Sequence, residues 1–339
     1  MRIGAINWNA IIPQPSFFGA YALNTLSHKD YHYRLPYFVK KDGDAIVFPE
    51  YSQELADREL QYAIDAGLDY FAYVWYAETP LREKPFAAVP RSADWHRLND
   101  ARRWYQQSAL RHRLNMCAIL RPGEMNPEDF SPLHETMQEP YYETLDGRPL
   151  VYLFASAPEA KLAMETLDAL AEKRHAERPF FAQIAWGDAV PDTGGRKPDA
   201  LTRYAWSASE PVATFADLAA TELTAEQRRA AAGFPMLPHL TTGWNPRPRI
   251  ARPVPWTHYP DREYAADMRP AELLDAARNL KAWLETKPAA VVKDQLLVFA
   301  WNEFEEGGWL CPTLGADGLP DTTRLEAFAQ AVKLLKALP

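Results

Sequence analysis

Leu296-Leu-Val-Phe-Ala-Trp-Asn-Glu-Phe-Glu-Glu-Gly-Gly-Trp309 runs from an apolar segment straight into Trp301, Asn302 and three carboxylates. Leu296 to Ala300 has the length of a strand buried on both faces, because no polar residue alternates within it. Such a strand, opening into Asn-Glu-x-x-Glu-Gly, delivers acids to one end of a sheet inside a rim of Trp301, Phe304 and Trp309. Two neighbouring carboxyls in an apolar rim are pushed toward different pKa values, the condition for acid/base work. A solvated acidic turn has the same local appearance, and the rest of the chain decides between the two.

Working outward, strand-length apolar runs recur at residues 2–9, 69–76, 114–120, 149–154, 180–186, 201–206 and 234–240. Helical spacing lies between most of them. Ser52 precedes Ala56, Leu60, Ala63 and Ile64, and Gly67 closes that helix. A helix from Asp94 uses Leu98, Ala101 and Tyr105, and Ser156-Ala-Pro-Glu159 opens another with Ala163, Leu167 and Leu170. Phe215 to Ala232 is helical in pattern, with a possible recap at Thr224-x-x-Gln227. Pro270 opens a stripe of Leu273, Ala277, Leu280 and Leu284, and Thr323-x-x-Glu326 caps the last helix. Residues 187–198 are too short and too rich in Gly and Pro for a full helix, so one outer helix is expected to be missing or reduced. Some forty residues after the first strand read as loop.

Eight strands, most followed by a helix, is the order of an α/β fold of the TIM type, a single (β/α)8 barrel spanning residues 1–339 as one catalytic domain. Connections entering strands are short, and several leaving them are long. Long loops at the C-terminal face are where such barrels build sites. A doubly wound open sheet is the alternative, but no Gly-rich first turn supports a nucleotide there.

In a barrel, the residues at the strand ends share one cavity: Asn7 and Trp8, Trp75 and Tyr76, Arg121, Trp186, Trp206, His239 and Thr242, and Asn302 with Glu303. Rings and carboxylates together suit a sugar better than a phosphate or a lipid. Among these, Trp8, Trp75, Tyr76, Arg121, Trp186, His239, Trp244, Asn302 and Trp309 are expected to bind substrate, and Glu303 and Glu306 to carry the chemistry. Arg247, Arg249 and Arg252 either receive an anionic substituent or pair with the chain's carboxylates.

Composition narrows the partners. A formal charge of −8 argues against nucleic acid, which needs a basic face. No segment is long and apolar enough to span a membrane. Neither the two cysteines, Cys117 and Cys311, nor the histidine spacing supports a metal or a disulfide framework, so no cofactor is expected. The N-terminus has no signal-peptide pattern, so the chain is expected either to stay inside the cell or to be a trimmed mature form.

Several stretches resemble one known group. Trp301-Asn-Glu-Phe-Glu-Glu306-Gly307 is similar to the Trp/Phe-Asn-Glu-Trp-x-Glu-Gly motif of the glycoside hydrolase family 99-like proteins, which include the endo-α-mannosidases and the WbsX-like proteins. Gly243-Trp244-Asn245-x-x-x-Arg249, Gly67 to Tyr76 and Asp146-Gly-Arg-Pro-Leu-Val-Tyr resemble further motifs of that group, in order along the chain. The resemblance implies a retaining glycosidase acting on an oligo- or polysaccharide. Glu303 is then the base that activates the substrate's 2-hydroxyl and Glu306 the acid/base, while Glu305 has no counterpart role. Cys117-Ala-Ile-Leu-Arg-Pro-Gly-Glu124 departs from the group's Trp-Ala-Asn-Glu-Asn-Trp, so mannose specificity does not transfer, and Glu124 is a candidate substitute contact. A polysaccharide glycosyltransferase would need a nucleotide-sugar site, for which there is no Asp-x-Asp at a strand end. A carbohydrate-binding protein without turnover is the other alternative.

Overall fold

The eight apolar runs become the strands of one parallel sheet. They are β1 (Arg2–Asn7), β2 (Tyr70–Trp75), β3 (Asn115–Leu120), β4 (Arg148–Leu153), β5 (Phe180–Ile184), β6 (Ala200–Thr202), β7 (His239–Thr241) and β8 (Gln295–Phe299). The structure is a computed structural model and describes residues 1–8, 17–78, 95–185, 195–205, 214–262, 264–292 and 294–338. Each strand from β1 to β5 pairs with the next, β7 pairs with β8, and β8 pairs with β1. The ring closes just before β7: Leu201 N–H donates to Pro235 O and Leu237 N–H to Leu201 O, both at 2.8 Å. The (β/α)8 barrel expected from the periodicity is the fold observed.

Around it lie α1 (Phe17–Leu26), α2 (Gln53–Asp65), α3 (Asp100–Gln107), α4 (Phe130–Thr136), α5 (Ala157–Lys173), α6 (Phe215–Ala231), α7 (Arg247–Ala251), α8 (Pro270–Glu285) and α9 (Thr323–Lys336). Several of their starts follow capping chemistry, whereas α9 has Thr323 as its first helical residue and no side-chain cap at Thr322, so the expected Thr323 cap is not formed. Ser52 accepts from Leu55 N–H, Thr214 accepts from Asp217 N–H, and Ser156 forms a capping box with Glu159. The helix α6 runs unbroken through Thr224. The stretch after β1 is not all loop, because it holds α1, a short 3-10 helix at Lys29–Arg34 and a small hairpin (Lys40–Asp42 with Ala45–Val47). Apolar positions there recur too irregularly to show a period. Most of 187–198, where a reduced outer helix is expected, lies outside the described residues. Among the described residues no helix is long and apolar enough to cross a membrane.

One joint ties the helix layer to the chemistry-bearing end of β8. Trp301 is fully buried and donates its indole N–H to Glu59 of α2 at 3.1 Å. Burial pushes the Glu59 carboxyl up to about 7, against the opposing hydrogen bonds from Trp301 and Tyr51. A carboxyl raised on folding holds its proton more tightly in the native state. Its contribution is therefore largest at acid pH and is lost as pH rises from the ordinary carboxyl range through about 7. Glu59→Gln keeps an acceptor for Trp301 and removes that dependence. Melting curves at acid and mildly alkaline pH should show the variant gaining on the wild type as pH rises.

Candidate active site

Among the described residues, every barrel strand except β5 delivers a residue from just past its C-terminal end to one cavity of about 410 Å³. Directly past β5 only Ala185 is described, and Trp186 lies outside the described residues, as does Trp206 past β6. Trp8, Tyr76, Arg121, Phe154, Tyr204, Trp244 and the pair Glu303 and Glu306 form the floor and walls. The loop carrying Trp256, His258, Tyr259 and Arg262 builds the remaining side. The volume lies within the roughly 300–1,000 Å³ of small-molecule sites.

The acids stand on a hairpin. Asn302–Glu303 pairs antiparallel with Gly308–Trp309, and Glu306 N–H donates back to Glu303 O at 3.2 Å. The tight return is possible because Gly307 takes φ +86 and abuts the next loop, where a Cβ would stand 2.6 Å from Asn245 N. Asn245 N–H in turn donates to Glu306 O at 2.6 Å. Gly243 makes the same kind of approach from its side, since a Cβ there would meet Gly307 O at 2.3 Å. Fully buried Arg34 stitches the two loops together. It donates to Asn245 O at 2.9 Å and Phe304 O at 3.3 Å, and pairs with Asp267 at 2.6 Å. Gly307→Ala therefore costs roughly 1–3 kcal/mol from the backbone conformation alone, with the Asn245 collision added. A fall in Tm of the variant checks this.

Glu303, Glu305 and Glu306 are all buried around the guanidinium of Arg249 of α7. Arg249 Nε donates to Glu305 at 2.8 Å, Nη1 donates to Glu306, and Nη2 lies 3.7 Å from Glu303. Thr25 of α1 donates to the other Glu305 oxygen at 2.5 Å, so Glu305 is a strut that holds Arg249 in place. Tyr259 donates to Glu306 Oε1 at 2.6 Å. The Tyr204 oxygen stands 3.0 Å from both Glu303 Oε1 and Glu306 Oε2. Burial first, then repulsion from Glu306, raises the Glu303 carboxyl well above the usual range, with Arg249 opposing. Burial alone would lower the Arg249 guanidinium, but Glu306, Glu305, Tyr259 and Glu303 together hold it well above its ordinary value. Burial, then Glu303 and Glu306, keeps Tyr204 neutral by raising its phenol.

Of the residues expected to bind substrate, Trp8, Tyr76, Arg121 and Trp244 line the cavity, and four others do not. Trp75 faces the helix layer, its ring 3.7 Å beneath the Arg102 guanidinium of α3. His239 also faces outward, with Nδ1 3.4 Å from Glu222 of α6. Trp309 is buried against Arg324 of α9, 3.6 Å from its ring. Side chains alternate faces along a strand, so misjudging its end by one residue exchanges inside for outside. Asn302 is structural: its side-chain oxygen accepts from Trp8 N–H at 2.8 Å and its NH₂ donates to Trp8 O at 2.6 Å, which sets the height of Trp8. The rim expected from Trp301, Phe304 and Trp309 is core, and Trp8, Phe154, Trp244 and Trp256 form the rim instead.

The arginines separate cleanly. Arg249 neutralises the acid cluster, Arg247 donates to Asn245 and to Tyr264 O, and Arg252 donates to Asn24 O. Glu124 sits behind the wall and pairs with Arg121 at 2.5 Å, and burial raises it to about 7 against that pairing. Two contributors went unforeseen in the sequence, Tyr204 and Tyr259. Tyr204 lay inside a stretch read as strand through Trp206, whereas β6 ends at Thr202. Among the described residues no group of three or more His, Cys, Asp or Glu could hold a metal ion.

The sequence matches no family model and no curated protein. In fold the chain is similar to the glycoside hydrolase family 99 endo-alpha-mannosidase from Bacteroides thetaiotaomicron. The complex of that enzyme with bis-tris-propane aligns at TM-score 0.62 and 15% identity, over 99% of this chain and 97% of that one. A second structure of the same enzyme aligns at TM-score 0.55 and 16% identity, over 99% and 97%. At that identity the likeness establishes a shared fold over the full length of both chains.

Proposed function

We propose that this protein is a retaining glycoside hydrolase that cleaves a glycosidic bond of an oligo- or polysaccharide with Glu303 and Glu306. The observation that carries the reading is the meeting of these two acids on one wall of a ring-lined cavity at the C-terminal face of the barrel. Flat rings such as Trp8 and Trp244 pack on sugar C–H faces, and the neighbouring acids reach one glycosidic oxygen and the hydroxyl beside it. The fold shared with an endo-alpha-mannosidase supports the same class of chemistry.

Spacing favours retention. One hydroxyl oxygen lies 3.0 Å from both carboxyls, so their nearest oxygens are within twice that distance. Inverting enzymes hold their carboxyls roughly 6.5–9.5 Å apart to admit a water. In the first step Glu303 takes the proton of the substrate's 2-hydroxyl as that oxygen bonds to the anomeric carbon. Glu306 gives its proton to the departing oxygen. In the second step Glu306 takes a proton from water as the water oxygen attacks the anomeric carbon, the bond from that carbon to the 2-oxygen breaks, and Glu303 returns its proton to the 2-oxygen. Both acids finish as they began.

A second reading exchanges the two roles, and two contacts favour it: Arg249 and Tyr259 both donate to Glu306, which holds negative charge there. The test of the class is a screen of defined oligosaccharides with NMR of the first-formed anomer. Release of a reducing sugar with retained configuration is the expected result. Inverted product, or affinity for glycans with no turnover on any, overturns it.

A further inference from the structure

A tyrosine hydroxyl carries one proton, yet the Tyr204 oxygen is within hydrogen-bond distance of both carboxyls. It donates to one of them. The other contact is a hydrogen bond only if that carboxyl is itself protonated and donates to the tyrosine oxygen. The surroundings decide which is which. Glu306 Oε1 accepts from Arg249 and from Tyr259, so the negative charge rests on Glu306. Arg249 comes no closer than 3.7 Å to Glu303. In the free protein the chain of donors therefore runs from a protonated Glu303 to Tyr204 to an ionised Glu306. The raised Glu303 carboxyl agrees with that order.

This order is the reverse of the one the reaction above requires, where Glu303 starts as the base and Glu306 as the acid. We propose that Tyr204 is the relay that converts one arrangement into the other, a positioning residue that moves a proton without touching substrate. The Glu303 Oε1–H bond breaks as a new Tyr204 O–H bond forms, while the original Tyr204 O–H bond breaks as Glu306 Oε2–H forms. One proton leaves Glu303 and one reaches Glu306, and the tyrosine ends neutral. Glu306 is divided for this purpose: Oε1 takes Arg249 and Tyr259, and Oε2 faces the relay. The phenol is held in line by Phe299, Phe154 and Trp8, with ring centroids at 4.5, 5.2 and 5.8 Å. Its purpose rests on the glycosidase reading, but the donor order belongs to the free protein and is tested there.

The experiment is a carbon-13 NMR titration of the side-chain carboxyls in glutamate-labelled protein, with assignments from Glu303→Gln and Glu306→Gln. Other groups able to titrate or bear charge near the pair are Glu305, Arg249 and Tyr259, then Tyr76 and Arg121 across the cavity with Glu124 behind them, and His258 and Arg262 on its remaining side. At neutral pH the wild type should show Glu303 as the acid and Glu306 as the carboxylate. Two ionised carboxyls there overturn the proposal without any variant. Tyr204→Phe removes the acceptor of the Glu303 proton and the donor to Glu306. The Glu303 midpoint should fall by about one pH unit, the size of one charge-assisted hydrogen bond. A tyrosine that merely donated to two carboxylates would let the Glu303 midpoint rise, and that result ends the proposal. With a glycan that the wild type cleaves, Tyr204→Phe should lower kcat about tenfold or more at unchanged KM. An unchanged kcat also overturns the relay. Absence of turnover in the wild type would sink the glycosidase reading and leave the titration result standing.

Discussion

Glu303→Gln and Glu306→Gln are each expected to lower turnover of an unactivated glycan by about 10²–10⁴-fold, the usual cost of losing a positioned acid or base. The amide preserves shape and burial, so the loss is chemical. Their stabilities should differ. Glu306 is the partner of Arg249 and Tyr259, whereas Glu303 carries a proton in the free protein, and a neutral amide replaces it with little change in charge. An activated aryl glycoside separates the roles, because its leaving group needs no proton. Its first step, read as a burst of released aryl alcohol, should survive Glu306→Gln if Glu306 is the acid, and survive Glu303→Gln if the roles are exchanged. Near wild-type rates in either variant on an ordinary glycan would remove that residue from the chemistry.

Arg249→Met is expected to be the most damaging single change outside the catalytic pair. Its guanidinium is the cation that contacts all three buried carboxyls, and methionine fills similar volume without charge. Removing one member of a buried ion cluster leaves uncompensated charge, at a cost of roughly 3–5 kcal/mol. The sign with pH follows from the carboxyls. Burial makes the Glu303 carboxyl hold its proton more tightly than in the unfolded chain, and losing Arg249, which opposes that, strengthens the effect. The variant's deficit should therefore be small in acid and grow as pH rises through the carboxyl range and above it. Tm measured against pH for wild type and variant checks this. A deficit independent of pH would mean that Arg249 acts by packing alone.

The barrel was legible because its strands are buried on both faces, which writes each as a short unbroken apolar run such as Leu296 to Ala300. Helix starts at Ser52, Ser156 and Pro270 were legible through capping chemistry, which is local. The acids were visible because they follow β8 directly in the chain. Misjudged neighbours share one cause: at Trp75 and His239 the strand end was known only to within a residue, and that residue decides the face.

Chain order and local chemistry alone thus determined eight strands, their closure into a barrel and the end at which Glu303 and Glu306 emerge. Apolar runs and caps act over a few residues, within the reach of sequence reading. Only the tertiary structure decided that Tyr204 and Tyr259 reach those acids, that Arg249 rather than solvent balances them, and that Glu305 is a strut. These contacts join residues far apart in the chain, and the Coulomb and hydrogen-bond energies that fix protonation depend on distances that exist only once the chain is folded.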